Sequence, residues 1–190
     1  YPFSISENFQ MRNTNKTITD SENELAEILC IAEKANKKVV VYLSMCFGNP
    51  YGDPWNLDIV NKWVQKLSEM GVKIISLSDT IGTSNPESIK SIFNSVLKNH
   101  NEIEFGAHLH SDPNTWHEKI QSAYESGCRR FDGAIKGFGG CPMASNELVG
   151  NMPTEKILSY LNTKKISNNV NTLRFESCYN QSLEIFNKYH

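Results

Sequence analysis

No apolar run in this chain approaches the roughly 20 residues needed to span a bilayer. Neither charge sign is in surplus: 19 Lys and Arg stand against 21 Asp and Glu over 190 residues, a net charge of −2. There is no basic patch to argue for nucleic acid and no acidic tail. Cysteine is sparse as well. Cys30, Cys46, Cys128, Cys141 and Cys178 are widely spaced and odd in number, and no Cys-x-x-Cys pair occurs. A zinc ribbon and a thioredoxin-type site are therefore disfavoured, as is a disulfide framework in a chain this long and apolar. The expected setting is reducing and cytoplasmic. The N-terminus has neither a basic start nor a long apolar stretch, so it does not read as a signal peptide. For that reason the sequons at Asn15 and Asn180 carry little weight. The chain does not begin with Met but inside what reads as a strand, which suggests an upstream part or processing.

With 39% hydrophobic residues the composition is that of a globular domain with a core. Short β-rich runs alternate with helical stripes. The first strand is expected at residues 3–6. Ser21-x-x-Glu24 makes a capping box before Leu25, Ile28, Leu29 and Ala32 at helical spacing. Residues 38–45 form a β-branched run that reads as a fully buried strand. Leu57, Val60, Val64 and Leu67 make a second helical stripe, closed by Gly71. A strand at 72–77 leads to a helix opened by Asn85-Pro86. A strand at 103–109 leads to a helix marked by Trp116, Ile120 and Ala123 and ended by Gly127. Residues 130–135 are the fifth strand, and helices near 154–161 and 176–189 complete the chain.

Such alternation means parallel strands with helical crossovers. Two architectures compete, an open doubly wound sheet and part of a (β/α)8 barrel. A whole barrel takes about 250 residues and eight strands, and five strands are expected here. No Gly-x-Gly-x-x-Gly turn follows the first strand, which weakens the dinucleotide-binding version of the open sheet. A single domain over 1–190 is expected.

Polar residues and glycines gather after the C-terminal ends of the strands, where ligands bind in either architecture. His108 and His110 stand at i and i+2 on a strand, so both imidazoles face one side and can reach one metal; the alternative is a chance pair bonded at the rim. His100 and His117 read as helix-end or surface residues. Gly137, Gly139 and Gly140 permit a tight or mobile turn. Cys141 at its end reads as a displayed thiol, able to act as acid or nucleophile, or as an ordinary buried cysteine. The glycine amides could instead cradle a phosphate. Cys30 and Cys128 fit the buried reading, and Cys46 stands near a strand end and could face the mouth. Asn151 could give an oxygen ligand or simply end a loop. Glu155 falls in a first helical turn, which the helix dipole favours in any case.

Gly137-Phe138-Gly139-Gly140-Cys141-Pro142-Met143-Ala144, followed by Gly150-Asn151 and Thr154-Glu155, resembles the cysteine loop of the 3-hydroxy-3-methylglutaryl-CoA lyases. Ala107-His108-Leu109-His110 is similar to their metal-binding strand, and Leu77-Ser78-Asp79-Thr80-Ile81-Gly82 to their sixth strand and its loop. Ser6-Glu7-Asn8-Phe9 with Asn13-Thr14-Asn15 resembles the segment after their fourth strand. The resemblance covers nearly the whole chain. It implies a partial (β/α)8 TIM barrel, about strands 4 to 8 with their helices. It implies Mg2+ or Mn2+ held by His108, His110 and Asn151, and Cys141 as the catalytic thiol. Asp79 and Glu155 would support the site by polar contacts, and an acyl-CoA would be the substrate; a homodimer stays open as the assembly.

The sequence departs from the family in two places. One residue more separates Cys141 from Asn151 than in the usual family form. The Arg-Asp pair of the family's first strand, a metal ligand and an enolate stabiliser, has no match, and Arg129-Arg130-Phe131-Asp132 is in the wrong place to substitute. The runner-up readings are a related barrel aldolase or acyl-CoA condensing enzyme, and a non-catalytic fragment of the lyase.

Overall fold

The computed structural model describes residues 1–140 and 150–189. Five parallel strands form one sheet in chain order: β1 (Pro2–Ser4), β2 (Val40–Ser44), β3 (Ile74–Ser78), β4 (Glu104–His108) and β5 (Arg130–Phe131). Helices α1 (Glu7–Thr14), α2 (Ile18–Lys34), α3 (Leu57–Glu69), α4 (Pro86–Asn99), α5 (Trp116–Glu125), α6 (Thr154–Thr163) and α7 (Thr172–Tyr189) follow or join them. Sequential parallel pairing without reversal of strand order is barrel topology, not the doubly wound alternative. β1 and β5 are the two edges of this sheet.

Alternation along each strand sorts the side chains. Phe3, Val41, Leu43, Ile75, Leu77, Phe105 and Ala107 pack under the helices, against Leu25, Val60, Val64, Ile89, Phe93 and Ile120. The other face, turned to the barrel axis, carries Tyr42, Ser44, Ser76, Ser78, Gly106, His108 and Arg130. The run at 38–45 is therefore shorter than its sequence suggested and buried on one face, with Val40 and Tyr42 half-buried. β5 is shorter still, because the chain turns at Ile135–Gly137 into a single 3-10 turn with Lys136 at φ 56°.

Helix caps follow local chemistry. Asn85 caps α4 with Pro86 at its first position, and Gly71 and Gly127 leave α3 and α5 at φ 97° and 101°. The box at Ser21 is not the one used. α2 begins a turn earlier, where Thr17 and Asp20 cap each other's backbone, and Ser21 is buried inside it, accepting from Gln10 Nε2 at 2.8 Å. Two further expectations are corrected, for Cys30 and His100, and the open alternative at Cys46 is decided. Cys30 is exposed rather than packed, because its position on α2 lies outside the buried stripe. His100 is buried as the C-cap of α4. Cys46 does not face the mouth: its Sγ lies 3.0 Å from the Leu43 carbonyl and burial pushes the thiol up to about 12. Among the described residues, no helix is long and apolar enough to cross a membrane.

Candidate active site

β4 delivers the two imidazoles. Register aligns Ser78 with His108, and His108 and His110 stand on one side of the chain, their ring centroids 5.5 Å apart at 61°. Tyr42 meets His108 edge-on from β2, at 5.3 Å and 89°. Burial holds the His108 imidazole below its ordinary value, against the opposing pull of Asp132 and Asp79. A neutral ring at pH 7 keeps a lone pair for ligation.

Asn151 reaches the same place by backbone pairing. His110 and Asn151 form an antiparallel bridge, with Met152 N–H donating to the Leu109 carbonyl and Ser111 N–H to Gly150, each at 3.0 Å. Asn151 N–H donates to the Gly137 carbonyl at 3.0 Å, and its side-chain amide to the Phe138 carbonyl at 2.9 Å. That orientation leaves the amide oxygen as the group's acceptor. Gly137 is needed here: a Cβ would lie 2.6 Å from the Asn151 carbonyl, and φ is 69°. Glu155 accepts from Lys136 N–H at 3.0 Å, so its carboxylate anchors the base of the glycine turn.

His108, His110, Asn151 and Gly140 line one cavity of about 210 Å³, with Phe9, Asn13, Tyr42, Ser44, Ser78 and Thr80. Asp79 and Glu155 are not in its wall. Cys141 lies outside the described residues. A larger hollow of about 670 Å³ adjoins it and shares Tyr42, His108 and Asn151, with Asp132 also in its lining; two others, of about 640 Å³ between α6 and α7 and about 960 Å³ at the opposite ends of the strands, hold no histidine.

Asp79 is buried behind the imidazoles. It accepts from Ser84 Oγ at 2.5 Å and Ser84 N–H at 3.1 Å, and pairs with Lys119 Nζ at 2.9 Å. Lys119, itself 2% exposed, also donates to the carbonyls of His110 at 2.8 Å and Gly82 at 3.1 Å. The loop after β3 and the end of β4 are thus tied through one ammonium group. Sequence reasoning missed Lys119, although it sits three residues after Trp116 and four before Ala123. A lysine on an apolar stripe signals a buried partner. It also passed over Asp132, whose Oδ2 lies 3.8 Å from His108 Nδ1. The signal there was charge at both Arg130 and Asp132 on one face of a strand.

The donor set fits a divalent cation. Two imidazoles and an amide oxygen line one cavity. Among the described residues no group of three or more His, Cys, Asp or Glu could hold a metal ion.

The hydroxymethylglutaryl-CoA lyase YngG of Bacillus subtilis (strain 168) is 33% identical over 167 residues, which are 88% of this chain and 56% of that protein. The cytoplasmic 3-hydroxy-3-methylglutaryl-CoA lyase of Homo sapiens is 34% identical over 169 residues, 87% of this chain and 45% of that one. The crystal structure of the Bacillus subtilis HMG-CoA lyase superposes with a TM-score of 0.87 at 31% identity, over 96% of this chain and 61% of that chain. An HMG-CoA lyase from Acinetobacter baumannii, solved with coenzyme A and 3-methylmalate, gives 0.80 at 27% identity, over 90% and 55%. The chain spans about half the length of the curated relatives it matches. The model of the HMGL-like family matches residues 3–181, and by that match and its partial (β/α)8 barrel this chain belongs to the HMGL-like family.

Proposed function

We propose that the protein carrying this chain is a carbon–carbon lyase that cleaves 3-hydroxy-3-methylglutaryl-CoA to acetyl-CoA and acetoacetate. One observation carries this reading: His108, His110, Asn151 and the end of the glycine turn at Gly140 share one cavity at the C-terminal ends of the strands. His108, His110 and Asn151 would hold Mg2+ or Mn2+; when bound, such an ion polarises the hydroxyl and carboxylate oxygens of the substrate. The remaining ligand would be the aspartate of the strand that opens the family's barrel.

In the retro-Claisen step a base takes the proton of the tertiary hydroxyl and the carbon–carbon bond breaks. Its electron pair passes into the enolate of acetyl-CoA. An acid then protonates that carbon, and the family resemblance gives this role to Cys141. The single domain of this chain serves the reaction by placement. β4 aims the imidazoles, the bridge from His110 to Asn151 fixes the amide, and Glu155 pins Lys136 beneath the glycine turn. Asp79 acts at one remove, through Lys119 and the His110 carbonyl.

The test is release of acetoacetate from 3-hydroxy-3-methylglutaryl-CoA by the full-length protein, compared with His110→Ala. Cleavage dependent on added Mg2+ or Mn2+ and lost in the variant is expected. Undiminished cleavage in the variant would refute this reading.

A further inference from the structure

The inner face of β3, β4 and β5 carries a polar cluster beneath the cavity. Register sets Ser76 beside Gly106 and Gly106 beside Arg130. Gly106 makes room for the arginine: a Cβ there would lie 2.9 Å from Arg130 Cδ and 3.1 Å from Ser76 Oγ. The guanidinium then lies between two carboxylates, 3.8 Å from Glu104 and 3.7 Å from Asp132 Oδ1. Asp132 is held three ways. Its Oδ2 accepts from Ser76 Oγ at 2.6 Å, its Oδ1 faces Arg130, and its N–H donates to the Ala107 carbonyl at 3.1 Å. So placed, Oδ2 stands 3.8 Å from His108 Nδ1, a buried nitrogen without a hydrogen-bond partner. Tyr42 packs edge-on against the same ring.

We infer that Asp132 is the positioning residue of His108: its negative charge, 3.8 Å from Nδ1, favours the proton on that nitrogen and so leaves the Nε2 lone pair to the cavity. A neutral imidazole carries its proton on one nitrogen only, and the partner of that nitrogen decides which one remains free to ligate. A carboxylate behind a ligating histidine does this in metal sites generally, and its loss typically costs about 10–100-fold in metal affinity. Asp132 suits the task because Ser76 and Arg130 fix it from the far side. This inference rests on the reading of His108 as a metal ligand.

The experiment separates the two. The metal-free, full-length protein is labelled with 15N-histidine, and the tautomer of His108 is read from long-range proton–nitrogen correlations. Mn2+ affinity is then measured by the paramagnetic signal of the free ion. The wild type is expected to carry the proton on Nδ1. Asp132→Asn should move it toward Nε2 and weaken Mn2+ binding about 10–100-fold, Asp132→Glu should restore part of both, and Ser76→Ala should shift both in the same direction, though less. His117, packed edge-on against Trp116 and Tyr160, reports that the fold is intact. If Asp132→Asn does not fold, the Ser76→Ala shift decides. A wild-type proton on Nε2, or an unchanged tautomer in the folded variants, would overturn the role of Asp132. Absence of Mn2+ binding by a wild type with the Nδ1 proton would instead refute the metal reading while leaving the orientation standing.

Discussion

A lysine and an aspartate withdrawn from water, Lys119 and Asp79, pair behind the site and tie the loop after β3 to the end of β4. Removing one partner of such a pair leaves the other charged, buried and unpaired, at a cost of about 3–5 kcal/mol. Lys119→Met should therefore lower stability by about that much in urea unfolding. Adding Asp79→Leu to it should cost less than the sum of the two single changes, and strict additivity would show that the pair is not coupled. His108 gives a pH dependence. Burial lowers its folded-state value, so the unfolded chain binds the proton more readily. The stability due to the neutral ring is full above about pH 6.5 and lost as pH falls below it through the lowered value. Unfolding of the metal-free protein followed between pH 7 and 5 should show that decline in the wild type and less of it in His108→Gln. Cysteines divide by burial: Cys30 and Cys178 are exposed, whereas burial pushes the Cys46 and Cys128 thiols up to about 12. Iodoacetamide at pH 8 should label the first two and leave the others unmodified until the chain unfolds, as read by mass spectrometry. Under the role proposed for Cys141, the acid acts in the transition state, so Cys141→Ala in the full-length protein should cut turnover about 10²–10⁴-fold with little change in substrate affinity.

At the scale of elements, the glycine turn and the segment at 150–154 behave as one piece. Gly137 approaches the Asn151 carbonyl too closely for a side chain, and Asn151 bonds back to Gly137 and Phe138. Gly137→Ala should therefore displace Asn151 and weaken Mn2+ binding, a change calorimetric titration would register. The strands, the glycine stops and the His-x-His face were legible in the sequence because each depends on local periodicity or one residue's torsional freedom. The start of α2 was not, since Thr17–Asp20 and Ser21–Glu24 are comparable local signals. Tertiary packing chose between them when Gln10 of α1 took the Ser21 hydroxyl. α1 itself has a weak apolar stripe, with Phe9 and Gln10 its buried residues, and periodicity gave little sign of it. The clamp on Asp79 was hidden for a similar reason. The motif showed a carboxylate near the mouth, and only packing shows its oxygens already taken by Ser84 and Lys119.

Over the whole molecule, the chain superposes on the Bacillus subtilis HMG-CoA lyase structure, of which it covers 61%. Among the described residues, β1 and β5 each have a partner on one side only, and unpaired edges expose backbone donors and acceptors that favour aggregation or completion by further strands. The inner face, with Tyr42, Ser76, His108 and Arg130, is polar and needs the rest of a barrel to exclude water. Under the proposed reading, the Arg-Asp pair of the family's first strand would supply a carboxylate ligand and an enolate-stabilising cation, and a polypeptide without that pair should lose much of the rate. The most direct measurement is the rate of acetoacetate release from 3-hydroxy-3-methylglutaryl-CoA, with Mn2+, by the isolated 190-residue chain and by a longer polypeptide bearing the strands that precede β1 in the lyases. Turnover by the longer polypeptide and none by the isolated chain is the result expected. Equal turnover by the two would contradict the account, since the Arg-Asp strand would then be dispensable.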